Sequence, residues 1–220
     1  MPLRRPGRTR PRPSSATRGE ETRTALLSAA RRVFARSGFD GASVRDITRE
    51  AGVNLGAVTY HFGSKRALYV AVLTGAFSPV VERVREAARS PGDPVQRLDA
   101  VVDAIFGVLG ANLDLPRLML QEVTTGRRPP RELVALAQAN VDNIGGILAE
   151  GCDAGVFRPG HPAFTALSIV AQPIFMTVVA PLVKEVAGVD LSDPATRSRA
   201  AEHVKSFVRD GLAARREVRA

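Results

Sequence analysis

The sequence predicts an all-α protein in which three short helices at the N-terminal end lead into a larger helical body. Three observations point there. Apolar residues recur at helical spacing through most of the chain, and no alternating strand pattern of useful length interrupts them. Helix starts are marked by capping residues, as at Ser43, Ser64, Asp93-Pro94 and Asp193-Pro194. Gly or Pro punctuates nearly every gap between periodic segments, and no internal repeat is present.

In chain order, residues 1–19 are rich in Arg, Pro, Ser and Gly, and read as a disordered basic arm that cannot bury apolar surface. Residues 20–37 form the first helix. Leu26, Leu27, Ala30, Val33 and Phe34 make its apolar stripe, Arg23, Arg31, Arg32 and Arg36 fill its other faces, and Gly38 ends it as a left-handed cap. Ser43 opens a short second helix with Asp46 in the capping-box position, and that helix ends at Ala51-Gly52. A third short helix covers 55–62. Gly63 breaks it, and Ser64 caps a fourth helix that begins at Lys65. Longer helices are expected near 65–89, 94–111, 115–125, 131–154, 162–187 and 194–215, with Pro129-Pro130 and His161-Pro162 as punctuation and a kink at Pro173.

Charge narrows the function. The 220 residues carry a net charge of +9, and its placement matters more than its size. Residues 1–19 hold six arginines and no acid, residues 20–75 carry a surplus of +3, and residues 76–220 are balanced. A basic N-terminal third on a neutral body suits a polyanionic partner. The arm lacks the apolar stretch of a secretory signal, and its four prolines prevent the amphipathic helix of an organellar transit peptide. Residues 162–183 are free of charge and long enough to span a bilayer. Their Thr, Ser, Gln and Pro content favours a buried helix of a soluble protein, so no membrane partner is expected. Cys152 is the only cysteine, which excludes an intrachain disulfide and suits a reducing cytoplasm. His61, His161 and His203 are scattered, with no metal-ligand spacing. There is no GxSxG, GxGxxG or complete Walker A loop, so no catalytic residue, metal or cofactor is expected.

The N-terminal helices have the spacing of a helix-turn-helix. Gly52 falls in the turn, where a positive φ is required. Val44, Ile47, Val53, Val58 and Phe62 can close a small core with Phe34 and Phe39. That arrangement turns Leu55, Gly56, Thr59 and parts of Tyr60 and His61 outward on the third helix. The resulting strip is small and nearly uncharged, and it fits a major groove where base edges are read.

Residues 22–69, above all Ala51-Gly52-Val53 through Tyr60-His61-Phe62-Gly63-Ser64-Lys65 to Leu68, closely resemble the DNA-binding domain of the TetR/AcrR family. The form AGVN…YHFGSK resembles the subgroup of CecR-type regulators, and Leu120-Gln121-Glu122 with the helix after it is weakly similar to that subgroup's body. The resemblance implies base contacts from Arg45, Leu55, Gly56 and Thr59, and phosphate contacts from Ser43, Tyr60, His61 and Lys65. Lys65 also adds a cation at the positive end of a helix dipole, a ready anion site. Thr59 departs from the family's common aromatic residue and Thr48 from its common alanine. With Leu55 and Ala57 nearby, this points to apolar contact with thymine methyls rather than bidentate hydrogen bonding. The arm would add non-specific phosphate attraction and minor-groove insertion.

The same resemblance implies a division into the arm (1–19), a helix-turn-helix domain (20–68) and an effector-binding and dimerisation domain (69–220). It implies a cytoplasmic homodimer on a palindromic double-stranded operator, repressing by family default and released by a small-molecule effector. Phe77, Phe106, Met119, Gln121 and Glu122, with Asn140, Asn143, Phe175 and Met176, are the pocket candidates, because they mix apolar bulk with occasional polar groups on the middle helices. Leu167, Val170, Ile174 and Val178, with Val204, Phe207 and Val208, lie on wide apolar faces of the last two helices and are the dimer-interface candidates. The rival readings are an architectural DNA-binding protein without a ligand and, with less support, a helical enzyme.

Overall fold

A computed structural model describes residues 15–112 and 114–214. The described residues form ten helices: α1 (Ser15–Gly41), α2 (Val44–Ala51), α3 (Ala57–Phe62), α4 (Lys65–Ala88), α5 (Pro94–Ala111), α6 (Leu115–Thr124), α7 (Arg131–Asp153), α8 (Pro162–Val178), α9 (Ala180–Ala187) and α10 (Pro194–Leu212). The only β-type pairing among them is an isolated bridge between Phe157 and Ala213.

The expected caps form. The Ser43 hydroxyl accepts from the Asp46 N–H at 3.0 Å and donates to the Asp46 carboxylate. Ser64 accepts from the Ala67 N–H, and Asp93 and Gln96 make a reciprocal capping box behind Pro94. Gly52 ends α2 at φ 67°, ψ 30°, a left-handed conformation that a side chain would disfavour.

Three expectations change. The helix begins at Ser15, so residues 15–19 are not part of a disordered arm, and residues 1–14 lie outside the described residues. The last proline of the arm is Pro13, so no proline after it interrupts the helix. Gly38 has φ 66° and ψ −178°, which is not a left-handed cap but a kink, after which the chain makes one further turn to Gly41. The region 162–187 is two helices, not one. α8 runs through Pro173, and the bend of 67° comes at Val179 instead. Pro181 explains the position: its ring opposes the Thr177 carbonyl four residues back, and it lacks the N–H that would bond there.

α4 is the central helix. It packs against α7 and α5 along most of its length, and against α1, α3 and α6 at its N-terminal end. It is the one helix among the described residues long and apolar enough to cross a membrane by itself, and half of its apolar stretch is buried by its neighbours. The hydrophobic core runs unbroken from Leu26, Phe34, Ile47 and Val58 through Leu68, Val72 and Leu73 to Val84, Val101, Ile105, Ile144, Ile147 and Ile169. A boundary at residue 68 would therefore fall inside a helix that serves both cores, not in a linker.

The C-terminal end is pinned by Phe157, which is buried and packed against the backbone of Gly151. A Cβ on Gly151 would lie 2.0 Å from the Phe157 ring. The Arg158 N–H donates to the Leu212 carbonyl at 2.8 Å, and the Ala214 N–H to the Val156 carbonyl at 3.1 Å, tying the α7–α8 turn to the end of α10.

Candidate nucleic-acid interface and sensor cavity

The reading head is built from α1–α3 and the first turns of α4. Ile47 of α2 and Ala57 and Val58 of α3 are buried, with Val44, Val53, Phe39 and Phe62 packed around them. Burying that side of α3 forces its other side outward. Leu55, Gly56 and Thr59 are exposed, and Tyr60 is 85% exposed. The head therefore presents the outward strip that the residue spacing implies. Thr48 is buried between α1 and α2, and its hydroxyl is satisfied by donating to the Val44 and Arg45 carbonyls at 3.0 and 3.2 Å.

The charged and polar residues around the strip differ in how free they are. Arg45 and Arg66 are exposed, and neither meets a carboxylate among the described residues. Lys65 lies with Nζ 4.5 Å from the centroid of the Phe39 ring, a cation–π position. His61 stands edge-on to Tyr60 at 4.9 Å. The Ser43 hydroxyl is occupied by Asp46 through the α2 cap.

A clamp absent from the sequence reading fixes α2 on α1. Glu50 accepts from Arg36 at 2.5 Å and from Arg32 at 2.6 Å, and these hydrogen bonds hold its carboxyl at about 2. The arginines sit one helical turn apart on α1. The i, i+4 spacing was legible, but its partner eighteen positions away was not.

The head is joined to the body by a second set of contacts through α6. Tyr69 of α4 packs edge-on against Phe34 at 4.8 Å and against Phe39 at 5.0 Å, and its hydroxyl donates to Glu122 Oε2 of α6 at 2.7 Å. Burial, and then this hydrogen bond, push the Tyr69 phenol above its ordinary range, so it remains the donor. Arg31 of α1 makes a two-pronged pair with Asp114 at 2.6 and 2.7 Å. Gln121 Nε2 donates to the Ala35 carbonyl, and Arg127 pairs with Asp40 at 2.7 Å. The α6 segment is thereby in direct contact with both α1 and α4.

Behind Glu122 lies a cavity of about 440 Å³ between α4, α5, α6, α7 and α8. Its size is typical of a small-molecule site. Of the residues expected there, Phe77, Met119, Glu122 and Asn140 line it. The other five do not. Phe106 is buried in the core, Gln121 turns to α1, Phe175 is 65% exposed, Met176 packs on the core, and Asn143 lies off the cavity wall. Of the residues expected at a dimer interface, Val170 and Ile174 line the cavity; Leu167 borders it at the rim and is 63% exposed, so most of its surface is open. Val204 and Val208 are buried within the protomer and offer a partner nothing, whereas Phe207 is 61% exposed and Val178 half-buried. The periodicity marked wide faces of α8 and α10 as apolar, and only packing could say how much of each was already used.

Comparison with known proteins covers both halves. The family model for bacterial regulatory proteins of the tetR family matches residues 26–72, and that for the tetracyclin repressor-like C-terminal domain matches residues 94–208. The chain is 41% identical over 87 residues to the HTH-type transcriptional activator FasR of Mycolicibacterium smegmatis, a match spanning 40% of each chain. It is 29% identical over 192 residues to the HTH-type transcriptional regulator RutR of Escherichia coli, covering 86% of this chain and 89% of that one. The crystal structure of a tetR-family regulatory protein from Rhodococcus RHA1 superposes with a TM-score of 0.73 at 22% identity, covering 89% of this chain and 98% of that one, a likeness of fold.

Proposed function

The chain belongs to the TetR family of bacterial regulatory proteins, and from that premise we propose that it is a cytoplasmic homodimer that binds a palindromic operator and is released by a small-molecule effector. The observation that carries the DNA-binding half is the exposed, nearly neutral strip of α3 beside uncompensated arginines. Leu55, Gly56 and Thr59 meet base edges, with Arg45 reaching a base from α2. Tyr60, His61, Lys65 and Ser43 hold the sugar–phosphate backbone. One six-residue helix reads too few base pairs to select a site. Two, related by a two-fold axis, read a palindrome about one helical turn apart.

The dimer face in this reading is the apolar surface left open on the last helices: Phe164, Leu167 and Phe175 of α8 with Phe207 of α10, each more than half exposed. An effector in the cavity acts on α6, and the Tyr69–Glu122 and Arg31–Asp114 contacts carry its displacement to the reading heads, shifting the population that fits the operator.

A selection from random duplex DNA with the purified full chain, followed by titration of the winning site at moderate salt, tests this reading. The expected result is a palindromic site bound far more tightly than competitor. Equal binding to all duplexes would make the protein an architectural binder, and no binding would remove the DNA-reading role altogether.

A further inference from the structure

We propose that the cavity takes an apolar molecule bearing a cationic, hydrogen-bond-donating head, an amphiphilic amine, and that Glu122 is the group that recognises the head. This rests on reading the body as an effector sensor. The walls supply no directional contact over most of their area: Phe77, Val80, Leu109 and Met119 are typical of them. The exceptions are Glu122, Asn140 and Arg127.

Glu122 is buried, 8% exposed, and no cation among the described residues is in ion-pair contact with it. Oε2 accepts from the neutral Tyr69 hydroxyl, and Oε1 has no donor among the described residues. A carboxylate withdrawn from water without a cation is costly, and a ligand cation would supply the missing partner. Asn140 adds a second acceptor, because its buried Oδ1 also lacks a donor. The one cation in the wall, Arg127, is already matched. Through Nη1 it donates to both Asp40 oxygens at 2.7 and 2.9 Å, and it lies 5.0 Å from the Phe39 centroid, so its charge, unlike that of Glu122, already has an ionic partner. Glu122 and Asn140 thus present unpartnered acceptor oxygens, and Glu122 is the one charge in the wall without an ionic partner among the described residues.

Titration calorimetry of the full chain with decylamine, decanol and decanoate tests the proposal, since the three share one apolar tail and differ in head charge. Decylamine is expected to bind about tenfold or more tightly than decanol, and decanoate most weakly. Glu122→Gln, which keeps an acceptor for Tyr69, is expected to abolish the preference for decylamine over decanol. Equal binding of the three, a preference for decanoate, no binding of decylamine, or an unchanged preference in Glu122→Gln each overturns it. The wild-type comparison stands even if the variant misfolds. No DNA is needed: a chain that selects no operator yet prefers the amine sinks only the regulator reading, whereas a regulator indifferent to head charge sinks only this one.

Discussion

Thr59 occupies the centre of the exposed strip and is short, so its reach extends to a thymine methyl or a single hydrogen bond and no further. Thr59→Ala is expected to change which bases are preferred at one position of each half-site while leaving overall affinity for non-specific duplex unchanged. A sequence selection repeated on the variant reads this directly, and an identical preference removes Thr59 from the base-reading set. Glu50 makes a different kind of contribution at the same scale. Its folded-state carboxyl is held below the ordinary 4.5, at about 2, by Arg36 and Arg32. A depressed carboxylate stabilises the fold fully above pH 4.5, and the contribution fades as pH falls toward 2. Because both arginines are more than half exposed, Glu50→Gln should cost only about 0.5–1 kcal/mol at pH 7. Urea titrations should show that difference shrinking steadily below pH 4.5.

Helix α6, like α4, touches both the cavity and the reading head. On its cavity side it contributes Met119 and Glu122, and on its other side Gln121 holds the Ala35 carbonyl of α1. The Tyr69–Glu122 bond therefore lies on the route that the proposed coupling between ligand and DNA would take. Tyr69→Phe keeps the ring packed on Phe34 and Phe39 but removes the donor, leaving a buried carboxylate with no partner. The fold should lose about 1–3 kcal/mol, and operator affinity should respond less to a cavity ligand than in the parent. Paired mobility-shift titrations with and without ligand would expose the change; full retention of ligand response would place the coupling in the Arg31–Asp114 contact instead. Gly151 shows a similar dependence between elements. Gly151→Ala drives a methyl into the Phe157 ring and should cost about 1–3 kcal/mol, measurable as a lowered unfolding midpoint.

For the whole molecule, the question is how one protomer's exposed apolar surface is covered. Phe164, Phe175 and Phe207 leave three large rings in solvent on α8 and α10. In a dimer these become the interface, and a charge there would be buried against its own symmetry mate. Phe207→Glu is expected to shift the chain to monomer in sedimentation equilibrium and to weaken operator binding steeply, because each head then binds a half-site alone. A dimer that survives Phe207→Glu and Phe175→Glu together moves the interface elsewhere. The charge distribution acts at this scale too: the surplus lies in the first third, so affinity for DNA should fall with salt while dimerisation changes little.

Local signals determined the helices. Caps at Ser43, Ser64, Asp93 and Asp193 and breaks at Gly52 and Gly63 act within a few residues, and they placed most boundaries and the outward strip of α3. The start of α1 and the break at Val179 differ from the local expectation, because helix formation after Pro13 and the effect of Pro181 depend on which of several local signals prevails. Whatever depends on contacts across the chain was decided by tertiary structure alone. Periodicity says that a face of α8 or α10 is apolar but not what covers it, so Val170 and Ile174 line the cavity, Leu167 stays largely exposed at its rim, and Val204 and Val208 lie in the core. The Glu50 clamp and the Tyr69–Glu122 bond join residues far apart in sequence. A side chain's partner is chosen by the packing of whole helices, and hydrophobic burial, which drives that packing, is non-directional and carries no address in the local sequence.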